Sequence, residues 1–170
     1  LDARTTTPLG IALRGRFLVG SRPVSADIVQ RFVSCAAENG IDVFRLHDPL
    51  NDVGNLREAA SAVLAAGRTF HAGLVYSRGR SGEIDALVEA AKRLPELGAT
   101  RIILNDPTDA LLPHLTEELV QRIREARAEA TRTGKKKDHF PDGAVVPACM
   151  EACPTGAITY IDADWTGLGK

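Results

Sequence analysis

Cysteine is scarce and odd in number, with three in 170 residues, at Cys35, Cys149 and Cys153. That count, with Cys35 in the middle of a helical pattern, excludes the paired framework of a small secreted disulfide scaffold. An excess of either charge is also lacking. Lys and Arg total 21 against 22 Asp and Glu, a formal net charge of -1, which leaves no electrostatic case for nucleic acid or an anionic membrane as partner. Long hydrophobic runs are missing too. No stretch approaches the roughly 20 apolar residues that a membrane span needs, and the N-terminus lacks the layout of a signal peptide. A cytoplasmic location is therefore expected. The one basic run, Lys135-Lys136-Lys137, is followed at once by Asp138 and reads as a solvated loop.

What is present is one sizeable core, since 44% of the residues are apolar, and size alone argues for one domain or one domain with a tail. The organising stretch is Gly40-Ile41-Asp42-Val43-Phe44-Arg45-Leu46-His47-Asp48-Pro49-Leu50-Asn51-Asp52. Its apolar part, Ile41 to Leu46, is too short for a stable helix and stops at polar groups and a proline. It reads as a parallel strand covered on both faces. Polar residues at the carboxyl end of such a strand are where α/β proteins place ligands.

The same design recurs. Leu9 to Leu13 is a short strand running into Arg14, His71 to Tyr76 is another, and Arg101 to Leu104 ends at Asn105-Asp106. Ser25 stands where an N-cap belongs, and Ile28, Val29, Phe32, Val33 and Ala36 follow at helical spacing up to Gly40. Cys35 within that helix is expected to be a small core residue. Further helices are expected from Asn55 to Ala66, from about Glu83 to Leu97 with a break at Pro95, and from about Thr116. Strand ends recur about every thirty residues, the length of one strand, one helix and two loops. The predicted fold is therefore α/β, an array of four parallel βα units.

Four units cannot close a barrel of eight. The expected sheet is open, resembling half of a TIM barrel, and must flatten into a sandwich, pair with another copy or take a partner chain at its edges. From Thr131 onward the helical periodicity fades, which places a boundary near residue 130 and a small irregular tail over 131–170.

Residues 1–128 resemble the carboxyltransferase domain of biotin-dependent carboxylases, the family of pyruvate carboxylase, oxaloacetate decarboxylase alpha subunit and transcarboxylase 5S subunit. The resemblance is carried by Leu13-Arg14-Gly15 with Val19-Gly20, by Gly40 to Arg45 with Asp48, Leu50 and Asn51, by Asn55-Leu56, by Leu97-Gly98-Ala99, and by Asp106 with Leu111 and Pro113. It implies a TIM-barrel fold in which these four strands are the second to the fifth. It implies further that Arg14 contacts the carboxylate of an oxo acid such as pyruvate or oxaloacetate. Arg45 and Asp48 match the charged end of the next strand and join Arg14 as candidate substrate-binding residues.

The family uses biotin and a divalent metal. The metal is held by an aspartate on the first strand, a carboxylated lysine on the fifth and a later His-x-His pair. Here Asn105 occupies the lysine position and no His-x-His occurs. An amide cannot become a carbamate, so the Lewis acid that would stabilise the enolate has no seat. The threonine that shuttles the proton in the family lies in a part of the barrel this chain lacks. The expectation is a carboxyltransferase-like domain with no catalytic residues of its own, inactive alone, that partners a biotin carrier or a chain completing the sheet.

Residues 134–162 resemble bacterial-type ferredoxins and iron-sulfur subunits through Pro147-Ala148-Cys149-Met150-Glu151-Ala152-Cys153-Pro154-Thr155-Gly156-Ala157-Ile158. A cubane cluster needs four thiolates. Cys149 and Cys153 would therefore bind a metal or cluster only with ligands from a partner, and no cofactor is expected on this chain alone. Other readings stay open. Arg14, Arg45 and Asp48 fit salt-bridged caps of strand ends as well as a binding site, and the cysteines fit a pair of free thiols. The competing classes are an electron-transfer module working through the tail, and a non-catalytic interaction protein working through its sheet edges. Of the histidines, His47 and His71 are expected on opposite rims, and His114 and His139 exposed.

Overall fold

A computed structural model describes residues 7–77, 83–132 and 145–147. Five strands, β1 (Gly10–Leu13), β2 (Val43–His47), β3 (Thr69–Val75), β4 (Arg101–Asn105) and β5 (Val145–Pro147), form one sheet in the order β1-β2-β3-β4-β5, every pair parallel. Helices α1 (Ala26–Glu38), α2 (Arg57–Ala65), α3 (Glu83–Arg93) and α4 (Pro113–Arg132) make the crossovers. Each strand pairs with its neighbour in sequence, so crossovers of one hand carry every helix to the same face of the sheet. This is the wall of a βα barrel, not a sheet sandwiched between two helix layers. Among the described residues β1 and β5 do not pair, and the sheet is open.

The two faces differ because successive side chains alternate. On β2, Phe44 and Leu46 are fully buried, whereas Val43, Arg45 and His47 are only partly so. Phe44 and Leu46 join Leu13, Phe70, Ala72, Leu74, Ile102 and Leu104 in the core beneath the helices. Each large side chain buried there contributes about 1.5–3 kcal/mol. The strand register puts Ala12, Arg45, His71 and Arg101 in one row on the opposite face, with His47 and Gly73 in the next.

The helices follow the sequence pattern with three adjustments. Buried positions on α1 are Val29, Val33 and Ala37, at steps of four, while Ile28 is exposed. Cys35, expected in the core, is exposed instead. It lies two residues off the buried line, about 200° round a helix of 3.6 residues per turn. A 3-10 turn, Val53–Leu56, takes the first residues expected in α2, and Asp52 caps it through the Gly54 N–H at 2.9 Å. α4 starts at Pro113, earlier than Thr116, because proline's missing N–H costs nothing in the first turn. Pro95 breaks α3 as expected, falling in the 3-10 turn Leu94–Leu97.

β5 is an addition to the four expected strands. α4 runs past residue 130 to Arg132, and Val145, Val146 and Pro147 pair with Ile102, Ile103 and Leu104. The start of the tail therefore joins the sheet. Cys149, Cys153, His139 and the basic run 135–137 lie outside the described residues. None of the described helices is long and apolar enough to cross a membrane.

One glycine fixes how the rim is built. Gly15 follows β1 with φ 52°, and a Cβ there would stand 2.4 Å from the Asn55 carbonyl oxygen. Only glycine lets the turn after β1 close on the turn before α2.

Candidate functional site

Parallel strands end on one rim, and the loops leaving that rim frame a cavity of about 400 Å³. β1 delivers Arg14, β2 delivers Arg45 and His47, β3 delivers Gly73 and Val75, and β4 delivers Ile103 and Asn105. Arg14 is held at the strand end by its own backbone, whose N–H donates to the Leu18 carbonyl at 2.7 Å. Arg45 and His47 are two residues apart on one strand and so project to the same side. Among the described residues, the cavity wall carries two guanidiniums, an imidazole and a carboxamide, but no carboxylate.

Of the residues singled out in the sequence, Arg14 and Arg45 are brought together here. Asp48 is not among the lining residues. It is only 4% exposed, and its carboxylate accepts the Leu50 N–H at 2.9 Å, the Asp52 N–H at 3.1 Å and the Asn55 side-chain amide at 3.1 Å. Its oxygens hold the loop that leaves β2. In the same loop Asn51, at φ 59°, donates to the Val75 carbonyl and accepts the Val75 N–H, both at 2.8 Å. That pair of bonds fastens the loop to the end of β3.

Two cavity residues, His47 and Gly73, were not candidates from the sequence. His47 is half-buried and extends the Arg45 face by one alternation, which is the signal that points to it. Its pKa is lowered from 6.5, by burial first and by the nearby Arg14 charge second, with Asp48 opposing. The imidazole is therefore neutral at pH 7. His71 lies one alternation further from this rim, on the same face as His47. It pairs with Arg45 in that row and is buried. Gly73 faces His47 across the sheet, and a Cβ on it would meet the Asn105 Nδ2 at 2.7 Å and the His47 Cβ at 2.8 Å. The missing side chain gives the amide and the imidazole room to occupy one rim. His114 is exposed, as expected.

The sign of the His47 shift fixes a pH dependence. Its folded pKa lies below the unfolded one, so its stabilising contribution is complete above pH 6.5 and is lost as pH falls through the folded value. His47→Gln is expected to flatten the fall in denaturation midpoint between pH 6.5 and 5, with wild-type stability at pH 8 little changed.

The described residues do not fit a divalent cation. Among them no group of three or more His, Cys, Asp or Glu is placed to hold one. Asp106, beside Asn105, is already engaged. Its carboxylate accepts the Leu111 N–H at 2.6 Å and the Thr108 N–H and hydroxyl at 3.3 Å. Burial works to raise its pKa, but the backbone N–H groups of Leu111, Ala110 and Thr108 and the Thr108 hydroxyl outweigh it and hold the group lowered. With Arg14 and no carboxylate among the described lining residues, the cavity suits a small anion.

No protein-family model matches the chain. It is 42% identical over 119 residues to a pyruvate carboxylase subunit of Methanocaldococcus jannaschii, a match covering 70% of this chain and 21% of the relative. It is 31% identical over 148 residues to the methylmalonyl-CoA carboxyltransferase 5S subunit of Propionibacterium freudenreichii subsp. shermanii, covering 87% of this chain and 29% of the relative. Among solved structures, the carboxyl transferase domain of Rhizobium etli pyruvate carboxylase with pyruvate and biocytin superimposes with a TM-score of 0.67 at 25% identity. That superposition covers 83% of this chain and 27% of the other. The chain thus spans less than a third of the length of these relatives. A match over 87% of 170 residues runs past residue 130 wherever it begins. It carries the carboxyltransferase likeness through β5, and the ferredoxin-like resemblance of the tail gains no support.

Proposed function

From the premise that its sequence and fold align this chain with the carboxyltransferase domains of the pyruvate carboxylase and transcarboxylase family, we propose that the rim cavity binds a small 2-oxo acid such as pyruvate or oxaloacetate. The observation that carries this reading is the Arg14 guanidinium in a cavity whose described lining holds no carboxylate, where it forms no ion pair with a described residue. A planar guanidinium receives a carboxylate through two parallel hydrogen bonds. Arg45 lines the same cavity. Asp48 serves the site indirectly, by fixing the loop between Pro49 and Asn55.

On this proposal the chain supplies substrate binding to a biotin-dependent carboxylation or decarboxylation, and turnover needs a partner. The two relatives named above are both called subunits, and an open sheet has edges that a second chain can complete. The division near residue 130 is kept as a proposal for the part of the tail beyond β5. There Cys149 and Cys153 would take a soft metal only with a partner's ligands. In the test, pyruvate is titrated into the full chain by ligand-observed NMR, and the same protein is then incubated with carboxybiotin, pyruvate and a divalent metal. Saturable pyruvate binding without oxaloacetate is expected. Oxaloacetate formed by the chain alone would contradict the need for a partner, and no pyruvate binding would contradict the site.

A further inference from the structure

The cavity holds two polar groups that its own fold leaves unused. Among the described residues neither the Asn105 carboxamide nor the His47 imidazole has a hydrogen-bond partner. The amide does not simply point outward from β4. It leans over Gly73 far enough that its Nδ2 would be 2.7 Å from a Cβ on that residue, which belongs to the neighbouring strand. Nδ2 thus stands above β3, two strand spacings from β1, which is about 10 Å. Arg14 lines the same cavity from the end of β1. A 2-oxo acid held by its carboxylate on Arg14 can therefore present its oxo oxygen to the amide.

We propose that the Asn105 carboxamide, leaning over Gly73, donates its Nδ2–H to the oxo oxygen of a 2-oxo acid whose carboxylate sits on Arg14, so that recognition of the oxo group at this rim is metal-independent. The inference rests on the oxo-acid reading above and goes beyond it by assigning the group that tells an oxo acid from a plain carboxylate. A divalent cation and a carboxamide both offer positive potential to a carbonyl oxygen. The amide does so without needing acidic ligands, which are not among the described lining residues. A site built to hydrogen-bond one polar group discriminates strongly against an analogue that lacks it, because its buried donor is then left without a partner. Neutral His47 flanks the same space. Gly73 keeps that space open, since any Cβ there would push both groups aside.

The test compares pyruvate with propionate, which has the same carbon number and carboxylate but no oxo oxygen, on the full chain in excess EDTA. Wild type is expected to bind pyruvate equally well in EDTA and with added magnesium. Asn105→Leu, of similar size, is expected to weaken pyruvate about tenfold while leaving propionate unchanged. A measurement that needs no variant follows the Asn105 side-chain NH₂ resonances by ¹⁵N NMR. Pyruvate is expected to shift them, and propionate to leave them in place. Pyruvate binding that vanishes in EDTA, equal weakening of both ligands by Asn105→Leu, or amide resonances indifferent to pyruvate would each overturn the inference while leaving the anion site standing. Wild type that binds neither ligand would overturn the anion site itself.

Discussion

Asp48→Ala is expected to destabilise the protein by roughly 2–3 kcal/mol, since it leaves three part-buried hydrogen bonds without their charged acceptor, and to lower the unfolding midpoint by about 4–12 °C at this chain length. The size of the effect follows from where the carboxylate sits. At 4% exposure water does not replace it readily, and its two oxygens serve different tasks. Oδ1 takes the Leu50 and Asp52 N–H groups, while Oδ2 takes the Asn55 amide. Asp48→Asn retains an acceptor for the first pair and loses the second, so it is expected to fall between wild type and alanine. The loop these bonds shape also carries Asn51, whose two bonds to Val75 tie it to β3. Loss of Asp48 therefore loosens the rim as well as the fold. Thermal melts of the three proteins check this, and an alanine variant melting within a degree of wild type would show that the loop holds itself.

Arg14→Ala is expected to weaken pyruvate binding by roughly 10- to 100-fold, the range for removing a charge-assisted hydrogen-bonding partner, with little change in melting temperature. The two readouts separate because Arg14 is exposed and its structural task, the bond to Leu18, belongs to its backbone. Arg14→Lys keeps the charge but not the planar fork, so it is expected to recover only part of the affinity. An alanine variant with unchanged affinity would move the carboxylate to Arg45 or out of the cavity.

How far the sequence foretold this molecule depended on the range of the interactions involved. β2, β3 and β4 were visible because each is an apolar run bounded by polar residues or glycine, and the helices because their buried positions recur at steps of three and four. β5 escaped notice because Val145-Val146-Pro147 is only three residues long and ends in proline. A strand so short is recognised only by the Ile102 edge it pairs with. The open barrel wall followed from the regular spacing of strand ends, while the choice of wall over sandwich rested on the sequential strand order.

Within the site, Arg14 and Arg45 stood out as charges at strand ends. Asp48 looked the same in the sequence. Its commitment to the loop depends on backbone N–H groups of Leu50 and Asp52 folding back over it, which residue identity does not announce. Asn105 drew attention only for the lysine it replaces in the family, although its amide is itself a donor. Gly73 had no signal of its own. Its value lies in the absence of a Cβ between His47 on one neighbouring strand and Asn105 on the other, a relation that exists only once the register is known.

The central claim is that this rim receives a 2-oxo acid through arginine and amide groups without a metal. A crystal structure of the full chain grown with pyruvate in the presence of EDTA tests it most directly. The expected result is pyruvate in the rim cavity, its carboxylate paired with Arg14 and its oxo oxygen within hydrogen-bonding distance of the Asn105 Nδ2. A cavity without pyruvate at saturating concentration, or pyruvate that enters only with a divalent cation between it and the protein, would contradict the account.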